Sequence, residues 1–257
     1  MRMKRLAFTA ALAFALLPGA SPSGAATPPL PPAAAEARRI LEEDEQPGHV
    51  DRAIALLEAL PDRDTSPEVM TLLAEAYYEL GTDLNDPDKA VGALETAIVH
   101  ADRALVKDPK NVRARYWRAA AMLATAGKLR GAESFGMVRA AVRELETVAA
   151  ADPNLDDAGA DRAMGKVYLD SPWWFMGDTD KAIEHLEAAR RRAPNSLQNR
   201  RFLAEAYAED GREADALREL QAILDMPPVP GREISTQREQ ELARRLADRI
   251  RARLRKP

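Results

Sequence analysis

The chain has no cysteine among its 257 residues, only three histidines, and aromatic residues at just 5%. Without cysteine there can be no disulfide, thiolate zinc site, iron–sulfur cluster or cysteine nucleophile. β-Branched residues are scarce as well, with Val and Ile numbering 18 together against 50 Ala and 29 Leu. Ala and Leu favour helix while β-branched side chains favour strand, so the composition predicts an all-α fold knit by small side chains. Excess positive charge is also missing. A formal charge of −4 gives no footprint of a nucleic-acid binder, and no nucleic-acid partner is expected.

Chemistry-bearing motifs are absent too. His49, His100 and His185 lie far apart, and none has a second ligand at metal spacing. There is no His-Glu-x-x-His zinc motif, no Gly-x-Ser-x-Gly elbow and no phosphate-binding glycine loop. Asp83, Asn85, Asp86 and Asp88 place oxygen ligands at alternating positions, but Pro87 interrupts them and no Gly turn with a distant Glu follows. Helix capping accounts for that cluster. No catalytic residue, cofactor or metal is expected, and the chain reads as a non-enzyme.

No apolar run is long enough to span a bilayer, which needs about 20 residues. The longest runs from Leu6 to Leu17, behind Arg2, Lys4 and Arg5 and ahead of Pro18, Gly19 and a small-residue exit ending at Ala26. That order is the pattern of a cleavable secretory signal peptide over residues 1–26. No Cys follows for lipid attachment, so a periplasmic or secreted protein is expected, with no membrane contact. Residues 27–32 carry four prolines and form an extended lead-in. The remainder, 33–257, is expected to form one helical domain.

What this domain does have is self-similarity. Ala216, Leu220, Ile223 and Pro228 recur in spacing as Ala182, Leu186, Ala189 and Pro194, as Ala141, Leu145, Val148 and Pro153, and as Ala97, Ala101, Ala104 and Pro109. Offsets of four and three lie on one helical face, and the proline stops the helix. Each copy is therefore the second helix of a hairpin. The first helix carries a small residue with a larger one three on: Ala204 and Tyr207, Gly165 and Tyr168, Ala120 and Leu123, Ala74 and Tyr77. A worn copy, Ala53, Leu57 and Leu60 preceded by Ala37 and Ile40, comes first.

This combination is the signature of the tetratricopeptide repeat, whose period is about 34 residues. The last period, from Ala182 to Ala216, is 34, while earlier ones are 41 and 44. The excess falls between the two helices, which predicts expanded loops. The expected architecture is a right-handed solenoid of about five hairpins, with helices near 33–45, 49–60, 67–80, 87–107, 111–127, 135–151, 157–169, 178–192, 196–210 and 212–225. A last helix near 233–255, with Leu242, Leu246, Ile250 and Leu254 four apart, caps the array. The local charge of +5 over residues 232–257 also suits an amphipathic helix on an anionic membrane, but every repeat array must end somewhere.

Two segments depart from the generic repeat: Ala114 to Ala120, which holds Tyr116-Trp117 and is followed by a long connection from Lys128 to Met137, and the loop from Ser171 through Trp173, Trp174 and Phe175 to Gly177-Asp178, leading into Lys181-Ala182. The Tyr-Trp pair, this loop and the Asp-Pro-Asn-Leu-Asp-Asp-Ala-Gly-Ala run at 152–160 carry a further likeness. Together, over roughly residues 70–250, they resemble exported repeat proteins of the TRAP-transporter T-component (TatT-like) family. The resemblance implies a helical, periplasmic, non-enzymatic protein working beside a substrate-binding protein and a transporter. The chain departs from that family in lacking a lipoprotein Cys.

Trp173, Trp174 and Phe175 are the first candidate binding residues, since three adjacent aromatics in a loop suit a lid or a partner anchor. Folding back onto the protein is the other reading. Tyr116 and Trp117 carry the same two readings, with helical phase favouring the core. Two functions follow: a scaffold holding a segment of another envelope protein or peptide, or a ligand-handling accessory of a TRAP-type transporter that meets its substrate-binding protein.

Overall fold

The structure is a computed structural model describing residues 30–43, 45–129, 132–228 and 231–255. The expected signal peptide at 1–26 and the lead-in up to residue 29 lie outside the described residues. Among those described there are eleven helices and no strand. They pair as α1 (Pro32–Glu43) with α2 (His49–Glu58), α3 (Pro67–Asp83) with α4 (Pro87–Lys107), and α5 (Val112–Lys128) with α6 (Ala132–Ala151). Then come α7 (Leu155–Asp170) with α8 (Thr179–Arg192), α9 (Leu197–Glu209) with α10 (Glu213–Leu224), and the unpaired α11 (Glu233–Leu254).

The helices start where short polar side chains can satisfy the free N–H groups of the first turn. Ser66 accepts from Val69, Asn111 from Ala114 at 2.9 Å, and Asp178 from Lys181 at 3.1 Å. Asp86 accepts from both Asp88 and Lys89, so the acidic cluster at 83–88 is a helix cap.

The repeat register is the core. Ala182, Leu186 and Ala189, like Ala216, Leu220 and Ile223, are fully buried, as are Ala97, Ala101 and Ala104, and Ala141, Leu145 and Val148. A fully buried Leu contributes about 1.5–3 kcal/mol. The small residue on the first helix sets how close the second can come. A Cβ on Gly165 would stand 2.5 Å from Leu186 Cγ, so only glycine admits this approach.

The extra residues of the earlier repeats do not all form the expanded loops that the spacing predicts. In α3/α4 and α5/α6 they lengthen the helices instead. The loop between α3 and α4 is only residues 84–86, and α6 begins at Ala132 instead of near 135. Gly81 against Leu94 Cγ, at 2.6 Å for an added Cβ, repeats the Gly165–Leu186 contact two turns nearer the loop than Ala74 and Ala101. The inserted residues keep the apolar spacing, so they extend the packed stripe instead of leaving it. Among the described residues, the α7/α8 hairpin alone carries its excess as a loop, residues 171–178.

At the end of the array α11 buries Ala243, Leu246, Ala247 and Ile250 against α9 and α10. Leu254, expected in this stripe, is exposed beyond the last contact. The start of α11 also reaches the first hairpin. Glu45 accepts the backbone N–H groups of Ile234 at 2.8 Å and Ser235 at 3.0 Å, and Arg232 donates to the Glu42 carbonyl. The two ends of the array therefore meet, and the groove inside becomes a walled space.

Candidate functional site

Asp156 lines all three clefts that open from this space. Asp156, Asp157 and Ala158 all have left-handed backbone, with φ of 51°, 54° and 61°. Three such residues in a row, none of them glycine, are strained and persist only under external restraint. Two side chains supply it, one from the next turns of α7 and one from α9. Arg162 donates to the Asp156 carbonyl at 3.0 Å and to its carboxylate at 2.5 Å. The fully buried Asn199 donates to the Asp157 carbonyl at 2.8 Å and the Ala189 carbonyl at 3.2 Å. The Tyr116 hydroxyl donates to the same Asp156 carboxylate. Burial and the Asp156 charge push the Tyr116 hydroxyl pKa well above its usual value. For Arg162 burial opposes the charge, but Tyr116 and Asp156 outweigh it and hold the guanidinium protonated.

The first cleft is apolar. It opens over about 710 Å³ between α5, α6 and α7, walled by Ala120, Leu123, Val138, Ala163 and Val167, with Phe175 and Phe202 at its edges. Tyr116 and Trp117 line it from α5. They are buried, with Trp117 7% exposed, and their rings stand 4.9 Å apart in an edge arrangement. Tyr78 packs on Trp117 at 5.3 Å. These two candidates are thus core residues that also form a cleft wall.

The loop candidates behave differently. Phe175 is half-buried, 4.6 Å from the Phe135 ring, with the Arg139 guanidinium 5.0 Å over its face. Trp174 meets Phe135 edge-on at 5.3 Å yet stays 59% exposed, and Trp173 is 86% exposed. The loop therefore does not fold its tryptophans away. Phe175 comes to the same cleft as Tyr116 and Trp117, while Trp173 and Trp174 lie outside its lining. Phe135 escapes the sequence reading because its segment reads as a connection. The Phe135-x-x-Val138 spacing into Ala141 and Leu145 is the signal that places it on α6.

A second cleft, of about 690 Å³, lies between α1, α3 and the start of α11. Eight carboxylates and three arginines line it, and Trp117 forms part of its wall. Arg113 is bound to Glu75 at 2.8 Å and Glu42 at 3.3 Å. For Glu79 the ion-pair neighbour among the described residues is His49, at 3.9 Å. Burial, together with the charges of Glu75, Asp83 and Asp156, raises the Glu79 carboxyl to about 8. Across residues 156–158 the space continues as a third cleft of about 1070 Å³, where Arg162, Arg192 and Arg201 pair with Asp156, Asp161 and Glu239. The acidic cleft leaves no mark on the sequence, since its residues are spread from 41 to 238.

The other two histidines pack on tyrosines. His100 stacks on Tyr77 and His185 on Tyr168, each with ring centroids 5.6 Å apart, at equivalent places in two repeats. Burial and the nearby Arg103 lower the His100 pKa. Among the described residues no group of three His, Asp or Glu side chains is placed to hold a metal ion.

The tetratricopeptide-repeat family model matches residues 176–230, which hold the aromatic loop's end and the α8 to α10 helices. The chain is also similar to TTC0263, a thermophilic TPR protein of Thermus thermophilus, at 21% identity and a TM-score of 0.62, covering 82% of this chain and 96% of that one. MamA from Desulfovibrio magneticus RS-1, from residue 41 to its end, is 18% identical with a TM-score of 0.48, covering 82% and 98%. MamA of MSR-1 is 19% identical with a TM-score of 0.46, covering 84% and 93%. No protein of curated function matches the sequence. The chain is an all-α solenoid with the tetratricopeptide-repeat fold.

Proposed function

We propose that this protein is an exported, non-enzymatic scaffold that holds an apolar segment of another cell-envelope protein in the cleft between α5, α6 and α7. The observation that carries the reading is the aromatic loop: Trp173 stands 86% exposed beside a cleft edged by Phe175. A folded chain gains nothing for its own stability from an exposed tryptophan, whereas tryptophans anchor protein interfaces. Export rests on the order of charged, apolar and small residues in 1–26. No helix among the described residues is long and apolar enough to cross a membrane.

The test is on Trp173→Ala and Trp174→Ala. Both should leave the melting temperature unchanged and weaken capture of envelope partners by the purified protein about 30-fold, the equivalent of about 2 kcal/mol. Loss of stability with capture intact would refute a binding loop. Intact mass of the exported protein should show a start near Thr27.

The second reading, an accessory that handles ligand for a TRAP-type transporter, draws on the family resemblance and on the cleft volume of about 710 Å³, within the usual range for a small-molecule pocket. It requires the purified protein to bind a solute and the transporter's substrate-binding protein. Failure of both would remove it.

A further inference from the structure

We propose that the acidic cleft between α1, α3 and α11 seats a lysine or arginine side chain of the bound segment, while Trp117 donates its indole N–H to a backbone carbonyl of that segment. The proposal rests on the scaffold reading and adds what the partner must carry.

The cleft is short of positive charge. Of its eight carboxylates, Glu42 and Glu75 share Arg113, Glu43 lies 4.0 Å from Arg39, Glu45 caps α11, and Asp156 is held by Arg162. Glu79, Asp83 and Asp157 make no contact ion pair with an arginine or lysine among the described residues, and only the more distant Arg232 charge favours ionised Glu79. Arg232 is committed to the Glu42 carbonyl, and Arg238 stands exposed on the α11 rim. Like charges gathered in a walled space favour an incoming cation. The proton that Glu79 retains to about pH 8 reports the same deficit, because three neighbouring carboxylates and burial resist its ionisation. A side-chain cation suits the cleft better than a metal ion, since no three-ligand group is assembled there among the described residues.

Trp117 points to the same occupant independently. Its Nε1 is buried without a protein acceptor among the described residues. A buried donor without a partner is rare and calls for an explanation. Trp117 borders both the acidic and the apolar cleft, so a segment lying across it can present a carbonyl to the indole. Its apolar side chains would then enter one cleft and its basic side chain the other. An acceptor and a cation a few ångströms apart on one extended chain describe a peptide.

Seating the cation must also expel the Glu79 proton. The groups facing Glu79 are Glu75 and Asp83 from α3, His49 from α2, Asp156 from the left-handed turn, and Arg232 before α11. Below about pH 8 affinity should therefore fall by up to about tenfold per pH unit, the linkage limit for one proton.

The experiment is a positional-scanning library of fluorescein-labelled hexapeptides, read by fluorescence anisotropy on the full mature chain at pH 8.5 and 6.5. The expected result is a Lys or Arg preference of at least tenfold at one position, lost in Glu79→Gln/Asp83→Asn and much weaker at pH 6.5. Trp117→Phe, which keeps the ring and removes the N–H, should weaken all peptides while keeping the basic preference. Equal binding of basic and neutral peptides would overturn the proposal, as would a basic preference that survives the double substitution. Spermidine binding with the same residue dependence but no retained peptide would overturn it too. If apolar peptides bind and depend on Trp173 and Trp174, the scaffold reading stands while this inference falls. If no peptide binds at all, both fall.

Discussion

Glu45 and Ile234 lie at opposite ends of the helical array, and the Glu45 carboxylate accepts the Ile234 backbone N–H at 2.8 Å. The same carboxylate takes the Ser235 N–H, so a residue from the first hairpin caps the last helix. A charged acceptor at a helix N-terminus is stabilised by both the free N–H groups and the dipole. Glu45→Ala should cost about 1 kcal/mol and increase hydrogen exchange at residues 233–236, with the α5–α8 core unaffected. Unchanged exchange there would show that the two ends do not meet in solution.

Two glycines in helices should respond in opposite ways to alanine. Gly165 faces Leu186 at a distance no Cβ tolerates, whereas a Cβ on Gly92 in α4 would meet nothing within 4 Å. Gly92→Ala should raise stability by about 0.5–1 kcal/mol through helix propensity. Gly165→Ala should lower it by about 1–3 kcal/mol through overpacking, as should Ala182→Leu and Ala216→Leu. Urea denaturation midpoints check both signs.

Asn199 is fully buried with three side-chain hydrogen bonds, two of them to carbonyls of Asp157 and Ala189. Asn199→Ala strands these acceptors and frees the left-handed turn at 156–158. A loss of about 1–3 kcal/mol is expected in thermal or chemical melts.

The Glu79 carboxyl, raised to about 8 in the folded chain, lies above its unfolded value of 4.5. Between these values the folded state binds a proton that the unfolded chain has released, so this group's stabilisation is present at low pH and lost as pH rises through 8. Glu79→Gln should therefore gain on the wild type by on the order of 1 kcal/mol per pH unit between about pH 5.5 and 7.5. Parallel stability profiles of the two proteins would contradict this.

Much of the scaffold was legible because it is local. The Ala182-Leu186-Ala189 type of register fixes which face of each helix is buried, and caps such as Asp178 and Asn111 fix where helices begin. Spacing alone misleads at residues 81–83 and 132–134, where an insertion that keeps apolar periodicity reads as loop but folds as extra helix. The candidate site was legible only in part. Aromatic pairs announce Tyr116-Trp117 and Trp173-Trp174, yet whether a ring is buried depends on what packs over it, and Phe135 hides in a segment that reads as connection.

Helix periodicity and capping act over a few residues, so the hairpins, their order and their packed faces follow from the chain alone. Which side chains share a space is settled in three dimensions. The meeting of Glu45 with Ile234 walls the groove, the Asp156–Ala158 turn divides it, and Glu79, Asp83 and Asp157 come together from α3 and α7. Burial and electrostatic repulsion depend on distance in space, and no spacing along the chain encodes the curvature that brings these residues together.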